Sequence, residues 1–104
     1  MLELSVTEAE LWVGEMRGVM AGGEPLLVVR EESGVCVYRD RCPHQGYRLS
    51  EGSLENGVIT CRLHRHTFDA VSGAGINPRA ACLVRLPVLV ESGRIWLAEP
   101  RSVP

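Results

Sequence analysis

Two short motifs, Cys42-Pro43-His44 and Cys61-Arg62-Leu63-His64, constrain this 104-residue chain more than any other feature. Each motif joins one thiol to one imidazole, and sixteen residues separate the two motifs. Thiolate sulfur and imidazole nitrogen bind borderline and soft transition metals in proteins. The pattern therefore predicts that two loops converge on one metal centre, with Cys42, His44, Cys61 and His64 as its ligands.

The spacing within each motif bears on the kind of metal centre. Zinc and a binuclear iron-sulfur cluster both accept two cysteines and two histidines, but zinc half-sites usually read C-x2-4-C and H-x3-5-H. Neither motif has that form, and the single residue between Cys42 and His44 favours ligation of two neighbouring metal ions. We predict one 2Fe-2S cluster, with both cysteines on one iron and both histidines on the other. A zinc-stabilised binding module is the alternative from another functional class.

Five longer runs resemble a known family. They are 11–16 (LWVGEM), 42–45 (CPHQ), 49–53 (LSEGS), 57–62 (GVITCR) and 75–78 (GINP). Together with the two metal motifs, they are similar to the small Rieske-type 2Fe-2S ferredoxins of bacterial toluene and o-xylene monooxygenases. The resemblance covers nearly the whole chain.

The resemblance implies an electron-transfer role. Ferredoxins of that family carry single electrons from an NADH-dependent flavin and iron-sulfur reductase to a diiron hydroxylase, so the chain is expected not to be an enzyme by itself. Carried over by position, Cys42 and Cys61 would bind the buried iron, and His44 and His64 the outer iron. The ferredoxin of a Rieske aromatic-ring dioxygenase and the small subunit of a nitrite reductase are alternatives that keep the same cluster.

Two features of the residues around the ligands bear on the ligand assignment and on the reduction potential. His66 lies two residues after His64 and is a second candidate ligand, but the C-x2-H spacing favours His64. High-potential Rieske proteins carry an extra cysteine in each cluster loop and two hydroxyl donors near the cluster sulfurs. At the corresponding places this chain has Tyr47, Leu63, His66 and Phe68. We therefore predict a low reduction potential for a Rieske centre.

Length and charge limit the rest of the interpretation. A chain of 104 residues predicts a single domain, 1–104, without room for a flavin or nicotinamide domain. The net charge of −2 and the few aromatic residues argue against nucleic acid as a partner. No signal-like or membrane-spanning stretch is evident, so we expect a cytoplasmic protein that does not bind membranes. A shuttle that presents one face to two partners in turn is expected to be a monomer. All eleven basic residues are arginine, and six surround the metal motifs: Arg39, Arg41, Arg48, Arg62, Arg65 and Arg79.

Short apolar runs separated by turn residues such as Gly22-Gly23 predict an all-β protein. The resemblance implies the Rieske fold, in which an antiparallel sandwich or barrel base carries a small cluster-binding subdomain at about 41–68. The strands are predicted at 2–6, 15–20, 25–30, 34–39, 58–60, 84–91 and 94–97. The T-x-x-E sequence of 7–10 predicts a helical turn that starts at Glu8, followed by Leu11 and Trp12 in the core. The same resemblance implies that residues 72–78 form a rigid loop against the cluster. Cys36 is predicted to be a buried thiol, since a disulfide with Cys82 is disfavoured in a reducing compartment.

Overall fold

The computed structural model describes residues 2–43, 47–62 and 65–98. Within these ranges the regular structure is antiparallel β-sheet, with only two helical turns of three residues, so neither helix could traverse a bilayer. The strands are β1 (Leu2–Thr7), β2 (Glu15–Ala21), β3 (Glu24–Glu31), β4 (Gly34–Arg39), β5 (Ser53–Glu55), β6 (Val58–Thr60), β7 (Thr67–Asp69), β8 (Gly75–Asn77), β9 (Arg85–Leu86), β10 (Val88–Glu91) and β11 (Arg94–Leu97). The prediction of an all-β protein is confirmed.

The strands form three sheets. Sheet one has the order β1-β11-β10, sheet two the order β2-β3-β4-β9, and sheet three the order β5-β6-β7-β8. In sheet two, β2, β3 and β4 form a meander, and its turns fall at Gly22-Gly23 and Glu32-Ser33. In sheet three, the hairpin of β5 and β6 turns at Asn56-Gly57, where Asn56 has a φ of 52° and Gly57 a φ of 76°. Two consecutive positive φ values are characteristic of the turn that an Asn-Gly pair favours.

β3, which lies within sheet two, is buried on both faces, which explains its unbroken apolar run. Side chains alternate between the two faces of a strand. Leu26 and Val28 belong to one apolar core, which they share with residues of sheet one, whereas Leu27 and Val29 belong to a second core. The second core also contains residues of sheet three and both motif cysteines. Sheet two therefore connects the base of the molecule to the region of the metal motifs.

The predicted helical turn after β1 is present as a short 3-10 helix, Glu8–Glu10. The amide of Thr7 donates to the Glu10 carboxylate at 2.8 Å, as expected from the T-x-x-E sequence. Leu11 is buried, but Trp12 is 81% exposed, so the prediction that Trp12 lies in the core is wrong. The chain enters the turn before β2 immediately after Leu11, and this turn directs the Trp12 side chain outward.

The predicted single strand over 84–91 is also wrong. Pro87 separates β9 from β10, and the two strands pair in different sheets, β9 with β4 and β10 with β11. Proline has no amide hydrogen to donate to a ladder, so it marks the point where the chain passes between sheets. Three short strands, β5, β7 and β8, and the 3-10 turn Leu49–Glu51 were not predicted. Each has only three residues, too few to show a periodic pattern.

Candidate metal centre

The two motif cysteines lie at the ends of two strands in different sheets. Cys42 follows β4 of sheet two, and Cys61 directly follows β6 of sheet three. Both are buried, at 1% and 0% exposure, and both belong to the second core together with Leu49 and Phe68. The fold thus brings two thiols that are nineteen positions apart in the sequence into one water-poor region.

The two cysteines begin loops of matching construction. The amide of Cys42 donates to the carbonyl of Tyr47 at 2.7 Å, and the amide of Cys61 donates to the carbonyl of His66 at 2.8 Å. Each hydrogen bond spans five residues, so both motif loops are closed at their base in the same way. His44 and His64, the predicted nitrogen ligands, lie within these loops but outside the described residues.

His66 is half-buried, and its carbonyl closes the second motif loop. This backbone role does not depend on the imidazole. Arg65, which precedes it, has a φ of 55° and is exposed. A positive φ is uncommon for a residue with a side chain and fits a tight turn at this point of the loop.

A third segment, between β7 and β9, packs against the same core. The carboxylate of Asp69 accepts hydrogen bonds from the amides of Ser72 and Val71, both at 2.9 Å, and these bonds lower the pKa of Asp69. The amide of Leu83 donates to the carbonyl of Gly73 at 2.8 Å. A Cβ atom on Gly75 would lie only 1.8 Å from the carbonyl oxygen of Ala81. The segment over 72–78 therefore packs closely against the chain that follows it, and it contains β8 as well as loop.

The two remaining cysteines differ from the motif pair. Cys36 is buried, and its thiol donates to the carbonyl of Val71 at 3.6 Å. Burial raises the pKa of Cys36, which keeps the group a neutral thiol. Cys82 is exposed, and the two are not joined by a disulfide. The prediction of a buried Cys36 thiol is confirmed.

The six arginines near the motifs are all exposed. Arg39 forms an ion pair with Glu24, and Arg62 lies 3.7 Å from the carboxylate of Glu51. Among the described residues, the other four form no ion pair: Arg41, Arg48, Arg65 and Arg79. The surface around the motif loops therefore carries positive charge that acidic side chains do not fully offset.

The donor set fits an iron-sulfur cluster. Thiolates bind iron of both 2Fe-2S and 4Fe-4S clusters, and their burial excludes water from the metal-sulfur bonds. Two buried thiols from separate loops of matching construction provide one such pair. The sequence pattern predicts both of them but does not single out Asp40, a buried polar residue that is 2% exposed and lies two positions before Cys42. A charged residue directly after a strand and two positions before a motif cysteine was the available signal.

Comparison with known proteins identifies the same kind of centre. The model of the Rieske [2Fe-2S] domain matches residues 4–88. The ferredoxin component of an alkene monooxygenase system from Xanthobacter autotrophicus is 41% identical over 89 residues, which are 85% of this chain and 73% of the relative. The ferredoxin component of a naphthalene 1,2-dioxygenase system from Pseudomonas putida is 28% identical over 94 residues, 89% of this chain and 90% of the relative.

A solved structure shows the same architecture. The ferredoxin of carbazole 1,9a-dioxygenase from Nocardioides aromaticivorans superposes with a TM-score of 0.82 at 25% identity, over 94% of this chain and 97% of that chain. The predictions of the Rieske fold and of a 2Fe-2S cluster are confirmed, and the zinc-stabilised module is excluded as the interpretation of the site.

Proposed function

Because the chain belongs to the Rieske [2Fe-2S] domain family and resembles ferredoxin components of oxygenase systems, we propose that it serves a multicomponent monooxygenase. In this proposal it accepts single electrons from an NADH-dependent flavin and iron-sulfur reductase and passes them to a diiron hydroxylase. The observation that favours a monooxygenase over a dioxygenase is the 41% identity to an alkene monooxygenase ferredoxin. We further propose that the substrate is aromatic, toluene or o-xylene, because five runs of the sequence resemble the ferredoxins of those monooxygenase systems.

The proposed ligands are Cys42 and Cys61 for the inner iron, and His44 and His64 for the outer iron. The buried position of the two cysteines and the matching closure of the two loops support this assignment. When bound, the cluster would store one electron at a time. The chain supports that role by keeping the cysteine sulfurs away from water and by holding the two loops at fixed spacing.

Partner recognition is assigned to the positive surface around the motif loops. Arg41 and Arg65 are exposed and form no ion pair among the described residues. Complementary charge raises association rates and orients partners during encounter. The reductase and the hydroxylase would each present an acidic surface to this region, one after the other. In this proposal the carrier is a cytoplasmic, single-domain monomer that offers the same surface to both.

The ferredoxin of a Rieske aromatic-ring dioxygenase is the second candidate function. The naphthalene dioxygenase ferredoxin and the carbazole dioxygenase ferredoxin support it. Both candidates use the same cluster and the same carrier role, and they differ only in the oxygenase that receives the electrons.

A reconstituted system tests the proposal. The purified protein should contain two irons and two acid-labile sulfides and show a rhombic EPR signal after dithionite reduction. The oxygenase encoded beside the gene should then be purified and assayed with NADH and reductase, with and without this ferredoxin. A diiron hydroxylase that depends on the ferredoxin supports the monooxygenase role, whereas a Rieske oxygenase with the same dependence replaces it with the second candidate.

A further inference from the structure

A buried carboxylate closes the first motif loop at its base. Asp40 directly follows β4, and its side chain accepts two hydrogen bonds from Ser50, from the amide at 2.7 Å and from the hydroxyl at 2.6 Å. Ser50 belongs to the 3-10 turn Leu49–Glu51 that ends the loop. The two bonds therefore join the residues on either side of the loop that carries Cys42.

The fold leaves room for this contact at one position of β2. A Cβ atom on Gly18 would lie 2.7 Å from Oδ2 of Asp40 and 2.8 Å from Oγ of Ser50. Both distances are shorter than any ordinary contact, so a side chain at Gly18 would displace the carboxylate or the hydroxyl. Three separate segments, β2, the end of β4 and the 3-10 turn, thus meet around one acidic group.

The charge of this group has no cationic partner in the described part of the chain. None of the ion pairs there includes Asp40, and the hydrogen bonds to its side chain both come from Ser50. Buried charges are usually paired or bind metals. A negative charge held in a region of low dielectric acts over a longer range than one in water. Asp40 is two residues from Cys42, the proposed ligand of the inner iron.

We propose that Asp40 is a positioning residue that fixes the loop of Cys42 and places a buried negative charge that lowers the reduction potential of the cluster. This proposal rests on the assigned ligands and adds a cause for the low potential expected from the sequence. Reduction adds one negative charge to the centre, and a fixed negative charge nearby opposes that addition. Ser50 moderates the effect, because its hydroxyl donates to the carboxylate and offsets part of the charge.

A purely structural role for Asp40 makes a different prediction. If Asp40 only closed the loop, loosening either end of the contact would shift the reduction potential of the cluster in the same direction. If its charge acts on the cluster, removing the charge and removing the hydroxyl donor should move the potential in opposite directions. The substitutions Asp40→Asn and Ser50→Ala separate these two possibilities.

The test is a redox titration monitored by EPR on the cluster-loaded variants. Asp40→Asn preserves the shape of the side chain and should raise the potential, shifting the equilibrium toward the reduced form threefold to tenfold, where tenfold corresponds to about 59 mV for one electron. Ser50→Ala should lower the potential. Glu10→Gln is the control, since the Glu10 carboxylate also accepts a hydrogen bond, from the amide of Thr7, but lies in the 3-10 helix that follows β1 of sheet one. In this control variant, the equilibrium between the oxidised and reduced cluster should shift by less than twofold.

The outcomes are distinguishable. An unchanged or lower potential in cluster-loaded Asp40→Asn overturns the proposal, and so does an equal rise in Glu10→Gln. If Asp40→Asn fails to retain the cluster, Ser50→Ala decides, because a raised or unchanged potential there excludes an electrostatic role. Absence of a cluster in the unmodified protein would instead overturn the assigned function.

Discussion

The hydroxyl of Tyr38 donates a hydrogen bond to the carbonyl of Ala70 at 2.8 Å, and this bond joins sheet two to the end of sheet three. Both residues are fully buried. Burial raises the pKa of Tyr38, so the hydroxyl remains a protonated donor. Gly73 lies directly against the same ring, since a Cβ there would be 3.0 Å from its Cε1 atom. The contact holds the segment after β7 against the core that contains the motif cysteines.

Tyr38→Phe should therefore destabilise the protein. The substitution leaves the carbonyl of Ala70 without its donor in a buried position, which costs about 1–3 kcal/mol. The measurement is chemical unfolding of the cluster-loaded protein, followed by circular dichroism. Tyr47→Phe is the control, because Tyr47 is exposed and its removal should change the free energy of unfolding by less than about 0.5 kcal/mol. Equal midpoints for the two variants would contradict the assigned role of the hydrogen bond.

The identity of the fourth ligand can be tested by a pair of histidine variants. His64→Ala should lose the cluster or its electron-transfer activity, because the outer iron would lack one of its nitrogen ligands. His66→Ala should keep the visible spectrum and two irons per chain, because the described role of His66 in closing the loop belongs to its carbonyl. Absorption spectra with iron and sulfide analysis distinguish the variants. The reverse pattern would reassign the ligand to His66.

The unmodified protein should have a midpoint potential near the lower end of the Rieske range of about −150 to +300 mV. Its loops lack the extra cysteines of high-potential Rieske proteins. Phe68, a residue without a hydroxyl, is buried in the core beside the motif cysteines. Fewer donors to the cluster sulfurs stabilise the added negative charge less. A redox titration giving a value above about +100 mV would contradict this expectation, since about 59 mV already changes a one-electron equilibrium tenfold.

Charge reversal at the positive surface should slow electron transfer. Arg41→Glu and Arg65→Glu each remove one positive charge near a motif loop and add a negative one. Each is expected to reduce the rate with the partner proteins several-fold at low salt and to weaken the dependence of the rate on ionic strength. Arg94→Glu provides the matched control, since Arg94 pairs with Glu3 in sheet one. Stopped-flow measurements giving the same loss of electron-transfer rate in all three variants would exclude a local docking surface.

Two adjacent apolar residues should differ sharply in their contribution to stability. Leu11→Ala removes a side chain that is 2% exposed in the core between sheets one and two and should cost about 2–5 kcal/mol. Trp12→Ala removes a side chain that is 81% exposed and should change stability by less than about 0.5 kcal/mol. Thermal or denaturant unfolding measures both. A loss of several kcal/mol in Trp12→Ala would show that its side chain is buried after all.

The sequence was most informative at positions where few residue types are suitable, such as tight turns and metal ligands. Gly22-Gly23 and Asn56-Gly57 indicate turns in the sequence, because few residues other than glycine and asparagine adopt positive φ. The strands β2, β3 and β4 were placed within about one residue of their observed ends. The motif cysteines were found through their spacing, since this combination of thiols and imidazoles serves few purposes other than metal binding.

The sequence was least informative where tertiary contacts decide. Trp12 follows a buried leucine in an apolar run, and only the direction of the turn places it outside the core. Asp40 resembles an ordinary loop charge until Gly18 and Ser50 are brought beside it by the fold. The division of one apolar run by Pro87 depends on which sheet accepts each half, and pairing partners are not encoded in local periodicity.

The break at Pro87 has a consequence for how the molecule opens. The residues on either side of it, Leu86 in β9 and Val88 in β10, belong to different sheets but are joined by a single proline. Detachment of either strand therefore pulls directly on the other, with no slack chain to absorb the movement. Fluctuations of sheets one and two should therefore be cooperative, and the first motif loop, which follows β4 of sheet two, is expected to share the rigidity of both sheets.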